Sequence, residues 1–410
     1  MRYFHRRVTE WALTEDALQG RMAFIAGPRQ IGKTTAVQHF LAQQGQPRLY
    51  YNWDTPTVKR RYATNPVFFV DDLPPERPRV WVALDEIHKY PQWKNLLKGY
   101  YDEWRRHIRF IVTGSARLDL FRKSGDSLIG RYFLFRMLPL GIHEVISGSS
   151  SSRRDEWVPD QALPAIPPAA SGAAEAVESL LQLAGYPEPF TVGKQAFCAR
   201  WREHHVSLIL QEDLRDLTRI VQVRKLETLL YLLPDRVGAP LSLNALRQPL
   251  ESAHGTVRAW VEALKVVYLI FSIKPWTVRL SRSVLKEEKV YFWDWGLVTD
   301  PGARFENFLA VQLQRAVASW NERGRGPFSL YFLRTKDGQE VDFAIADRHR
   351  VWLLIEAKTS DTTLSRSLPV LQAKVQAALA LQVVNKPGVC ERKGKDVYVV
   401  GADRFLSLLP

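Results

Sequence analysis

Eight consecutive residues, Gly27-Pro28-Arg29-Gln30-Ile31-Gly32-Lys33-Thr34, set two glycines, a lysine and a hydroxyl at the spacing GxxxxGK(S/T). Such a run can close backbone N–H groups around phosphate oxygens. The glycines permit the tight wrap, Lys33 reaches the outer phosphates, and the Thr34 hydroxyl binds Mg2+. The expected binding loop runs from Gly27 through Thr35. About fifty residues on, the apolar run Val80–Leu84 ends in Asp85-Glu86. Asp85 at a strand end can hold the water shell of the Mg2+ ion, and Glu86 can activate an attacking water. A third apolar run, "HIRFIVTGSAR", ends in Thr113, Gly114 and Ser115. Thr113 or Ser115 could sense the terminal phosphate, although a helix cap would explain either hydroxyl taken singly. Arg117, Arg131 and Arg136 could each bring positive charge to a neighbouring subunit's nucleotide. Arg131 is the favoured one, and a surface ion pair is the competing explanation for it.

A second constellation lies near the carboxyl end, in "EVDFAIADRHRVWLLIEAKTS". Asp342 and Glu356 could hold one or two divalent metals, with Glu306 completing the shell and Lys358 orienting water or steadying phosphate charge. Glu356 follows "VWLLI", so its strand is expected to be central and its carboxylate costly to bury idle. The alternative is a structural hairpin in which Glu356 and Lys358 form a same-face pair.

The elements that must position these residues follow from the apolar pattern. "RMAFIAGPRQIGKTTAVQHFLAQQ" reads strand, loop, helix. "ISGSSSSRRDEWVPDQALPAIPPAASGAAEA" carries no helical period and reads as a linker. A helical region spans roughly 173–235. Then "PLSLNALRQPLESAHGTVRAWVEALKVVYLIFSIKPW" reads helix, turn, helix, strand, with Val257, Trp260, Val261 and Leu264 on one face. This is the pattern of a winged helix. Thr256 and Arg258 fall near the exposed start of its second helix, and its wing hairpin carries Lys274, Arg279, Arg282, Lys286 and Lys289. Such a unit can set a helix in a DNA groove and its wing on phosphates, although winged helices also bind proteins. The expected domains are an ATPase core at 1–146, a linker at 147–172, a helical lid at 173–235, a winged helix at 236–298 and a last α/β domain at 299–410.

The chain has 410 residues, 46% hydrophobic and 24% charged, enough for several cores. Its formal net charge of +14 suits a polyanionic partner such as DNA. Two cysteines without a CxxC spacing fit a reducing cytoplasm, no apolar run reaches a membrane span, and the start is too polar for a signal peptide.

"FIAGPRQIGKTT", "LDEIHKYPQWKNLLKGYYD", "FIVTGSARLDL" and "GRYFLFRMLPLGIHEV" together resemble the AAA+ ATPase domain of a widespread bacterial and archaeal family. Its members join this ATPase to a carboxyl-terminal half of unknown function. "LAGYPEPF" resembles that family's Gly-aromatic-Pro-Glu turn. The resemblance implies a parallel αβα sheet, ATP and Mg2+ as cofactors, and homo-oligomers, often rings. The helix–strand–strand–strand–helix order around Glu306, Asp342, Glu356 and Lys358 is similar to the core of the PD-(D/E)XK nucleases, and implies a second divalent metal there. The expectation is an ATP-driven, oligomeric DNA motor of recombination, repair or replication, acting on branched DNA such as Holliday junctions. A regulatory or defence ATP switch, and an ATP-gated nuclease, are the alternatives.

Overall fold

The computed structural model describes residues 3–75, 79–114, 128–146, 157–161, 165–214, 223–277, 287–335 and 337–410. Ser115, Arg117, Arg279, Arg282 and Lys286, and half of the expected linker, lie outside them. The chain divides into two units, His5–Leu138 and Met1–Phe4 with Pro139–Pro410.

In the unit His5–Leu138, five short apolar runs become β1 (Met22–Ala26), β2 (Tyr50–Asn52), β3 (Val80–Asp85), β4 (Ile108–Thr113) and β5 (Tyr132–Arg136). They form one sheet in the order β2-β3-β4-β1-β5 with every pairing parallel. A parallel sheet is covered on both faces, which is why β1 and β4 are buried at every residue. The helix Trp93–Trp104 buries Trp93, Leu97, Tyr100 and Tyr101, one stripe at helical spacing. Phe24, Phe69 and Phe110 fill the core beneath it, each contributing about 1.5–3 kcal/mol by leaving water.

In the unit with Pro139–Pro410, the helices Val223–Leu232, Leu243–Leu250 and His254–Val266 share a core with the hairpin of β6 (Ile270–Pro275) and β7 (Lys289–Phe292). Val257, Trp260, Val261 and Leu264 are buried, as their spacing predicts. The hairpin does not stand apart. β6 also pairs with β8 (Ser329–Arg334), joining β9 (Glu340–Ala346), β10 (Val351–Lys358), β11 (Leu379–Val384), β12 (Cys390–Gly394) and β13 (Val397–Gly401). The result is one eight-stranded sheet, β12-β13-β11-β10-β9-β8-β6-β7, whose pairing runs across residue 298. The 22-residue helix Pro301–Glu322, started by Asp300 and Pro301, lies against β7, β8, β9 and β10. The helix Ser367–Val375 follows β10. Among the described residues no helix is long and apolar enough to cross a membrane.

Candidate functional site

The first site is built at the carboxyl ends of β1, β3 and β4. The loop after β1 needs Gly27 because a Cβ there would stand 2.0 Å from the Met137 carbonyl oxygen. Gln30 and Gly32 turn through the left-handed region, and Gly32 starts the helix Lys33–Gln43. The Lys33 ammonium, 8% exposed, donates to the carbonyls of Gly27 (2.9 Å) and Pro28 (2.7 Å). Asp85, 2% exposed, is the centre of the site. It accepts from the hydroxyls of Thr34 (2.8 Å), Tyr50 and Thr113. Thr113 is there because β3 and β4 pair Asp85 with Thr113. Tyr50 is there because β2 pairs it with Ala83, and Asp85 lies two residues further along the same face.

Glu86 follows in the left-handed region at φ 57°, a backbone state that costs on the order of 1 kcal/mol and gathers at functional sites. Its N–H donates to the Thr113 carbonyl (3.0 Å), while His88 Nε2 and Lys89 Nζ lie 3.4 and 3.7 Å from its carboxylate. Burial first, and the Asp85 carboxylate second, push the Glu86 carboxyl above its ordinary value, against Lys89 and Lys33. A carboxylate so disposed has increased affinity for a proton, which suits a general base.

The structure therefore brings Lys33, Thr34, Asp85, Glu86 and Thr113 together. Arg131 is not among them. It precedes β5, and its carbonyl accepts from Met22 N–H at the end of the sheet opposite the loop (2.9 Å). There it forms a two-bond pair with Asp102 (2.9 and 3.1 Å). Arg136 is the rival that lies near the loop, paired in register with Ala26. Two further residues escape sequence reasoning. Tyr50 is one. Arg6, 3% exposed, is the other: it donates to the Ile31 carbonyl in the loop (2.5 Å) and to the Leu138 carbonyl.

The second constellation is assembled around a buried lysine. Asp342 on β9 accepts from Ala357 N–H (2.9 Å), which brings it beside Glu356 on β10. Glu356 pairs with Lys358 (2.9 Å), and its other oxygen is buried without a partner. Glu306 accepts from the Tyr291 hydroxyl (2.7 Å). Between these acids stands Lys289, 0% exposed, 2.6 Å from Glu340, 3.5 Å from Asp342 and 3.6 Å from Glu306. Among the described residues no group of three or more His, Cys, Asp or Glu side chains is placed to hold a metal ion. Glu306 and Asp342 thus face the Lys289 ammonium, and Glu356 faces Lys358. Lys289 corrects an expectation: the wing pattern sets it on a basic surface, yet β7 is buried at all four residues and turns it inward. Thr256, Arg258 and Lys274 are exposed, as expected.

A parallel sheet with a phosphate loop after its first strand and an acid pair two strands away defines an α/β fold that resembles the P-loop AAA+ ATPases. Residues 19–146 match a family model described as an AAA domain. Two domains of unknown function match residues 174–300 (DUF8612) and 301–405 (DUF4143). The uncharacterized proteins Rv2008c of Mycobacterium tuberculosis and Mb2031c of Mycobacterium bovis are each 25% identical over 402 residues, covering 94% of this chain and 81% of theirs. Among solved structures, the Aeropyrum pernix ORC1 protein in complex with DNA aligns with a TM-score of 0.32 and 15% identity, over 75% of this chain and 92% of that one. The Saccharomyces cerevisiae Hsp104–ADP complex aligns with a TM-score of 0.30 and 13% identity, over 79% of this chain and 44% of that one.

Proposed function

We propose that the chain hydrolyses ATP in an oligomer and couples turnover to DNA held by its carboxyl-terminal half. The observation that carries the ATPase reading is Asp85, buried and held by Thr34, Tyr50 and Thr113 with Glu86 beside it. A Mg2+ ion, when bound, would supply positive charge that offsets the charge of the phosphates. Thr34 and Asp85 would hold that ion, and Lys33 would turn from its loop carbonyls to phosphate oxygens. Glu86 would take the proton of the attacking water. Arg131, remote from its own loop, would act only on a neighbouring subunit's nucleotide, displacing its Asp102 pair.

Support for DNA is the net charge of +14 together with exposed Thr256, Arg258 and Lys274 on a helix-turn-helix and hairpin. Cleavage is the less favoured activity, because Lys289 lies among the carboxylates that would hold the metal. The deciding measurement is the ATPase rate without DNA and with duplex, single strand and four-way junction. Stimulation by one DNA form supports a motor, and a rate indifferent to all of them removes DNA as the coupled substrate.

A further inference from the structure

We propose that Lys289 is a built-in cation standing where a nuclease-like carboxylate cluster would hold its metal, so that this half of the chain works without a divalent ion and does not cleave. Four acids converge there from three elements: Glu306 from the helix Pro301–Glu322, Glu340 and Asp342 from β9, and Glu356 from β10. Glu306, Glu340 and Asp342 lie 2.6–3.6 Å from one ammonium. A magnesium ion needs oxygens at about 2.0–2.1 Å in near-octahedral array. Brought to these oxygens, it would meet a fixed positive charge already in their midst.

The lysine is locked in rather than passing through. Its side chain is fully buried, and its ammonium lies 5.4 Å from the centre of the Phe332 ring, a face that attracts cations. Its backbone is tied to Pro240 by a bridge, so the loop before the helix Leu243–Leu250 packs beside it. That loop also closes on Glu306. A Cβ at Gly238, where φ is +81°, would stand 2.6 Å from Glu306 Oε2, while Tyr291 donates to Oε1. Glu356 is held by Lys358, and Asp342 by Ala357 N–H. Positive charge and hydrogen-bond donors come from the protein itself.

The test uses the whole chain without nucleotide and Mn2+ as the probe, counted by electron paramagnetic resonance. Any ion held by the phosphate loop cancels in comparisons between variants. Wild type and Asp342→Asn should bind the same amount of Mn2+, and wild type should nick neither plasmid nor junction DNA in Mg2+ or Mn2+. Lys289→Ala should bind about one more Mn2+ per chain, lost again in Lys289→Ala with Asp342→Asn. Uptake or cleavage by wild type that Asp342→Asn abolishes would overturn the proposal, as would a folded Lys289→Ala that gains no ion. Should Lys289→Ala not fold, the wild-type comparison decides alone.

Discussion

At the scale of residues, the two sites differ in how carboxylates are kept. Asp85 is held by three hydroxyls, of which the phenol of Tyr50 was not foreseeable from spacing. Asp85 pushes that phenol further up from an already buried, raised value, so it stays a donor. Tyr50→Phe should leave nucleotide binding near wild type and lower kcat about ten-fold, the effect of losing one hydrogen bond to a charged group. A larger loss of binding than of turnover would make Tyr50 structural. In the second cluster the lysines Lys289 and Lys358 face four acids, and the deficit falls on Glu306. Burial first and Asp342 second push its carboxyl up to about 7, with Glu340 adding and Lys289 and Tyr291 opposing. Glu356 is pushed the same way, to about 6. A raised carboxyl favours the folded state below its unfolded value of 4.5, and that contribution is lost as pH rises through about 7. Wild type should therefore lose stability on the order of 1–3 kcal/mol from pH 5 to 8. Glu306→Gln, which keeps an acceptor for Tyr291, should flatten the profile in thermal melts. Parallel profiles would show that Glu306 titrates normally.

At the scale of elements, the phosphate loop, the acid pair and the strand ending in Thr113 were legible because each is a local pattern with a fixed chemical reason. Tyr50, Arg6 and Lys289 were not, since each acts on a partner remote in sequence that no local pattern marks. Lys289 did leave one signal: it opens "KVYFWDW", a run too apolar for a solvent-facing wing. The hairpin pattern was readable too, but its fusion to β8 was not, because a parallel neighbour leaves no turn to read. β7 ends the sheet, and an end strand exposes unpaired backbone. Here the side chain of Asn307, fully buried, accepts from Phe292 N–H (2.8 Å) and donates to Phe292 O (2.7 Å), standing in for a ninth strand. Asn307→Ala would leave both groups buried and unmet, costing about 2–4 kcal/mol. Chemical denaturation reads this directly. A cost within error of zero would mean that water or a shifted strand replaces the amide.

At the scale of the whole chain, the excess of 57 basic over 43 acidic residues sets the remaining expectation. Charge alone does not locate a binding face, because a diffuse excess also keeps proteins soluble. The structure narrows the choice by removing Lys289 from the surface and Arg131 into a pair with Asp102, whereas Arg258 and Lys274 stay exposed. Arg258 sits in the first turns of the helix His254–Val266, and Lys274 on β6, whose hairpin packs on that helix. Lys274 lies 3.8 Å from Glu288, a half-exposed pair that yields readily to a phosphate. If both side chains meet phosphates, each contact releases counterions, and log affinity falls with log salt by about 0.9 per contact. Replacing both with Ala should then weaken duplex binding and reduce that slope by about 2, with the loss largest at low salt. Lys289→Gln, made alongside, should leave the slope unchanged because its ammonium meets carboxylates. A slope unmoved by the double replacement would put the DNA on another face of the molecule.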